Sequence, residues 1–148
     1  MAFSAARVNA ASRLEIGDEL LLYTTRGCFR NQKRDRGRLM GRARVASRVV
    51  SLPEPVIFGD REFAYGCDLE LMGIAPLRQG IELAALADSL QLFSSTRTWG
   101  TKLRRSLVPL TVPDAKLLQR ELAPVLEPVE QHINSYVEAG RPAHASNS

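Results

Sequence analysis

Between Arg26 and Arg48 the chain carries nine basic residues against one acid, Asp35, and it sets them between two strand-like runs. Asp18 to Tyr23 reads Asp-Glu-Leu-Leu-Leu-Tyr, and Thr24-Thr25-Arg26-Gly27-Cys28-Phe29 turns the chain out of it. Arg30, Lys33, Arg34, Arg36 and Arg38 follow before Leu39-Met40-Gly41-Arg42-Ala43-Arg44-Val45 resumes alternation, with Leu39, Gly41, Ala43 and Val45 on one side. The pattern predicts strand, cationic loop, half-buried strand. The local charge is +8, so the rest of the chain must sum to −4 to give the overall +4. Basicity confined in this way is the signature of a polyanion-binding surface, which solubility alone does not require.

With 148 residues, 45% of them hydrophobic, the chain can bury a core without disulfide or metal staples. A single domain is expected over residues 1–140, with 141–148 a flexible tail. Cys28 and Cys67 are too few for a disulfide scaffold and lack metal-ligand spacing, which points to a reducing, cytoplasmic setting. No apolar run approaches the roughly 20 residues of a membrane helix, so no membrane partner is expected. Met1 to Leu14 bears Arg and Ser and has no acid, a composition shared by transit peptides; a short helix ahead of the first strand is the alternative.

Further along, Val56-Ile57-Phe58 and Glu62-Phe63-Ala64-Tyr65 flank Gly59-Asp60, a two-residue turn suited to a type II′ hairpin. Cys67, Leu69 and Leu71 alternate with Asp68 and Glu70 as another strand. Leu83, Leu86, Ala87 and Leu90 fit one face of a short helix, and Leu107 to Leu110 reads as a brief edge strand. Thr111-Val112-Pro113-Asp114 is a helix start, with Leu117, Leu118, Leu122 and Val125 as its apolar face and Pro124 near its end. A last helix is expected from Pro128 to Ala139, closed by Gly140. Mixed order with short antiparallel strands predicts an α+β fold, a strongly curved sheet or partly open barrel with helices outside.

Gly17-Asp18 leading into a strand that ends Tyr23-Thr24-Thr25, followed by Leu39-Met40-Gly41-Arg42-Ala43-Arg44-Val45, resembles the EVE domain of the PUA-like superfamily. The likeness is best between Leu14 and Val50 and extends to about Leu126. It implies a pseudo-barrel of mostly antiparallel strands with helices packed outside, and a cleft for a nucleobase, often a modified one, without metal. The related YTH and ASCH domains share that architecture. EVE domains open with an aromatic-containing strand, and Met1 to Leu14 is expected to hold none, so the chain is read as starting late or as a trimmed variant.

Tyr23, Thr24, Thr25 and Phe29 cluster where a strand passes into a loop, and aromatic faces with hydroxyl neighbours can stack a base and bond its edge. Trp99, the sole tryptophan, is a candidate for the opposite face of that pocket. Arg26, Arg30, Lys33, Arg34, Arg36 and Arg38 are expected phosphate contacts, joined by Lys102, Arg104 and Arg105 beside Trp99. Arg42 and Arg44 lie on a strand face, where their stems can cover apolar surface. The aromatics have a competing use as core, and the loop cations as a solvated surface.

Catalytic chemistry finds less support. His132 sits in a late helix and His144 in the tail, Asp68 and Glu70 lack a third ligand, and no phosphate-binding glycine motif or nucleophile elbow occurs. Cys28 follows Arg26-Gly27, where a cation could lower its pKa, although an inert thiol is the commoner fate. No catalytic residue, metal or cofactor is therefore assigned. The expected function is non-enzymatic binding of RNA or DNA, with a base, modified or not, read in a cleft. Two alternatives remain: an ASCH-like ribonuclease using Lys33 or Lys102 with Tyr23, and a module whose basic face meets an acidic protein.

Overall fold

A computed structural model describes residues 1–93 and 107–141. Trp99, Lys102, Arg104, Arg105 and His144, and with them half of the expected base sandwich and the second cationic cluster, lie outside the described residues. The fold is α+β, with two antiparallel sheets and a few helices.

β3 (Arg38–Val45) is the central strand of the larger sheet. It pairs with β2 (Glu19–Thr24) on one side, and on the other with β6 (Leu69–Ile74) along its second half and β7 (Ile81–Glu82) along its first. Its burial follows the parity of the sequence: Leu39, Gly41, Ala43 and Val45 are buried, Arg42 is half-buried and Arg44 exposed. Register shifts between Leu22 and Tyr23 in one ladder and between Arg42 and Ala43 in the other bend the sheet.

The smaller sheet has the order β1 (Ala2–Phe3), β5 (Arg61–Gly66), β4 (Val50–Phe58). Its hairpin turns at Gly59, whose φ of 64° with no positive φ at Asp60 fits the II′ expectation. β1 corrects the reading of the first fourteen residues. Phe3 pairs with Tyr65 and Ala2 with Gly66, and Met1 exchanges backbone bonds with Cys67, its α-amino group donating to the Cys67 carbonyl and its own carbonyl accepting from the Cys67 amide, both at 2.9 Å. The strand escaped notice because two residues carry no periodicity. Behind it come a 3-10 turn (Ala5–Arg7) and α1 (Val8–Ala11), the short helix anticipated there.

Among the described residues two clusters form the core, one at each end of β3. Phe3, Ala11, Val45 and Cys67 make the first, with Leu107 packed against it; Leu39, Leu83, Leu90, Leu118 and Leu122 make the second, with Leu110 packed against it. Leu107 to Leu110 is consequently not a strand but irregular chain crossing between the two. Pro109, lacking an N–H, suits that role better than a ladder position. The segment expected as a short helix is a 3-10 helix, Leu83–Ser89.

α2 (Val112–Leu122) starts as expected, with the Thr111 hydroxyl accepting from the Asp114 amide at 3.3 Å and Pro in the first turn. The Asp114 side chain is buried and accepts the amides of Gln91 and Leu92, both at 2.9 Å, so it caps a neighbouring turn while Thr111 caps the helix itself. Pro124 lies in the 3-10 turn Ala123–Val125 that closes α2, and α3 (Val129–Gly140) follows.

Gly80 is required by close packing, since a Cβ there would collide with the Leu39 carbonyl, a backbone group that cannot swing away. Gly80→Ala should destabilise the protein by about 1–3 kcal/mol through overpacking, read by urea denaturation. A change within roughly 0.5 kcal/mol, typical of a neutral surface site, would show that β7 is free to shift.

Candidate functional site

The cationic loop is built around its one acid. Asp35 Oδ2 accepts the amides of Phe29 at 2.9 Å and Asn31 at 2.8 Å, while Oδ1 accepts Arg78 Nε at 2.8 Å. Its own backbone closes the same loop, with the Gly27 amide donating to the Asp35 carbonyl at 2.9 Å and the Asp35 amide to the Asn31 carbonyl at 2.7 Å. The Asp35 side chain exposes no surface. Burial is the largest single influence and pushes its carboxyl up; the two amides and the Arg78 guanidinium together outweigh it and hold the group below the usual carboxylate range. Arg30 and Arg78 both take the left-handed conformation, φ 67° and 62°, which a side-chain-bearing residue adopts only where its surroundings hold it.

Beside this loop lies an open cleft of about 250 Å³, counted out to its mouth. Thr24 at the end of β2, Cys28, Phe29, Arg34, Asp35 and Arg36 of the loop, and Arg38 and Met40 of β3 line it. The turn between β6 and β7 adds Arg78 and Gly80, and α3 adds Tyr136. Tyr136 donates to the Ala75 carbonyl at 2.7 Å, and its ring meets Phe29 edge-on at 5.9 Å between centroids. The Arg78 guanidinium stands over the Phe29 ring, 5.8 Å from its centroid.

Several arginines already have anionic partners. Arg38 meets Glu82 at 3.1 Å and the Gly80 carbonyl at 3.1 Å, and Arg36, largely exposed, lies 3.8 Å from the same Glu82. Arg42 binds both carboxylate oxygens of Glu19, at 2.7 and 2.8 Å, with Arg44 3.8 Å away and Gln119 of α2 donating at 2.9 Å. The strand-face arginines thus tie β2, β3 and α2 together. Arg30, Lys33 and Arg34 are exposed and face no carboxylate among the described residues, while exposed Arg26 reaches only the Gln32 carbonyl, at 3.4 Å.

Of the expected base pocket, Thr24 and Phe29 line the cleft. Thr24 Oγ1 donates to the Arg38 carbonyl at 3.3 Å. Tyr23 packs on the Leu39 cluster with its hydroxyl against Gly37, burial raising its pKa, and Thr25 is exposed outside the cleft. Cys28 is exposed and lines the cleft, but its thiol pKa is raised, by partial burial first and by Asp35 second, against the smaller lowering effect of Arg78. The cation that matters here is thus Arg78, and the nearby carboxylate outweighs it.

Sequence reasoning missed Arg78 and Tyr136. Pro76-Leu77-Arg78-Gln79-Gly80 carries turn punctuation, and Val129, His132, Ile133 and Tyr136 share one helical face, so both were visible as local structure. Nothing local tells a residue 43 positions away that it will pair with Asp35. No protein-family model matches this chain, and no curated protein matches it.

Proposed function

We propose that this protein is a non-enzymatic, cytoplasmic nucleic-acid-binding domain of the PUA-like, EVE type. Its loop holds the sugar-phosphate backbone of a single strand, while a base is read at the open mouth of the cleft, beside Thr24 and Phe29. The observation that carries this reading is the loop itself, pinned from within by Asp35 so that Arg30, Lys33 and Arg34 stand outward with no carboxylate to neutralise them among the described residues. A pre-ordered loop gives up less conformational entropy on binding than a mobile one. The two free thiols accord with a reducing compartment, and among the described residues no helix is long and apolar enough to cross a membrane.

The ribonuclease alternative gains nothing from the geometry, because half-buried Tyr23 sets its hydroxyl against Gly37 and does not line the cleft. Fluorescence anisotropy with single-stranded RNA and DNA across a salt series tests the proposal. Binding should weaken steeply with salt, and the triple variant R30Q/K33Q/R34Q should flatten the log–log slope by about 2, at roughly 0.7 per lost phosphate contact. RNA should be recovered intact. Absence of binding at low salt, or a slope the triple variant leaves unchanged, would remove the loop as a phosphate clamp.

A further inference from the structure

We infer that the arginine side of the cleft is a phosphate subsite, seating one phosphate group of the bound strand between Arg34, Arg36 and Arg38. The ligand identity rests on the nucleic-acid reading above; the oxyanion chemistry rests on the cleft alone. Among the described residues Arg38 Nε is buried and has no hydrogen-bond partner, while the two ends of the same guanidinium are held by the Gly80 carbonyl and Glu82. A leftover N–H alone does not mark a site, since Arg42 Nε shares it beside Glu19; Arg38 differs in lining the cleft with its guanidinium fixed at both ends, a pre-set positive charge. Arg34 and Arg36 border the same cleft and can supply further donors in the fork geometry that suits phosphate.

The two carboxylates nearby do not cancel this. Both oxygens of Asp35 are already committed, one to two amides and the other to Arg78. Glu82 fixes Arg38 from one side while Arg36 sits 3.8 Å from it in a loose, exposed contact. Size argues in the same direction. Within its walls the cleft has space for little more than a water molecule, which admits an oxyanion oxygen but not an aromatic ring.

Cys28 provides the test, because it is exposed and lines this cleft whereas Cys67 is buried. The rate of Cys28 alkylation by the neutral reagent N-ethylmaleimide is measured on the full wild-type chain in inorganic phosphate and in chloride of equal ionic strength. Phosphate at ten times its Kd should slow the reaction about tenfold, since roughly one site in ten is then empty. Arg38→Gln should abolish that protection. Equal rates in phosphate and chloride would overturn the subsite, and this outcome needs no variant to fold.

Ten-nucleotide strands with a 5′-phosphate, a 3′-phosphate or neither then identify the source. Tighter binding of one phosphorylated end, lost in Arg38→Gln, assigns a terminal phosphate; equal weakening of all three by Arg38→Gln assigns a backbone phosphodiester. Protection by inorganic phosphate without strand binding would uphold the subsite and end the nucleic-acid reading. Strand binding without protection would do the reverse.

Discussion

Replacing Asp35 with Ala should cost about 3 kcal/mol of stability, near the lower end of the range for removing one partner of a buried ion pair. The lower end applies because Arg78 retains 22% side-chain exposure and can turn to water, as can the amides of Phe29 and Asn31 once the loop loosens. Chemical denaturation measures the loss, and hydrogen exchange at the Phe29 and Asn31 amides locates it. A loss under about 1 kcal/mol, no more than a single ordinary hydrogen bond contributes, would mean that the loop is not organised by this carboxylate. The variant should also bind nucleic acid more weakly despite a higher net charge, because a loosened loop must be ordered on binding.

The same group predicts an acid dependence whose sign follows from linkage. The folded pKa of Asp35 is depressed, so its contribution is fully present above the unfolded value near pH 4 and is lost as pH falls through the lower folded value. Asp35→Asn should remove that portion of the wild-type decline below about pH 4 and leave the neutral-pH side of the profile parallel. A variant whose acid limb matches the wild type would assign the decline to other carboxylates.

Phe3→Ala should cost about 3–5 kcal/mol, the range for truncating a buried phenylalanine, although the residue stands third in the chain. Phe3 is 1% exposed and packs with Ala11, Val45 and Cys67, and its backbone holds the edge of β5. Terminal residues usually tolerate change because they are not tied down; here Met1, Ala2 and Phe3 all are. Urea denaturation of the variant gives the value. A cost below about 1 kcal/mol would show that β1 detaches readily and that its cluster stands without it.

How far the sequence alone reached depended on range. The alternation of Leu39, Gly41, Ala43 and Val45 against Arg42 and Arg44 determined β3 and its inner face, because a strand's side-chain period is local and exact in phase. Thr111-Val112-Pro113-Asp114 likewise determined the start of α2, and Gly59-Asp60 the hairpin, since caps and turns are set by residues three or four apart. The same stretch of charge located the loop. It did not reveal which cations stand free, because Glu19, Glu82 and Asp35 reach theirs only after β2, β3, β7 and the Arg78 turn come together. Asp35 shows the division most clearly: along the chain it is a lone acid diluting a basic run, and in the fold it is the buried acceptor that shapes that run. Tyr23, a candidate base platform, packs half-buried against the Leu39 cluster outside the cleft, with its hydroxyl set against Gly37. Pairings across tens of residues are selected by packing and by the need to satisfy buried polar groups, and neither is written in any local window of sequence.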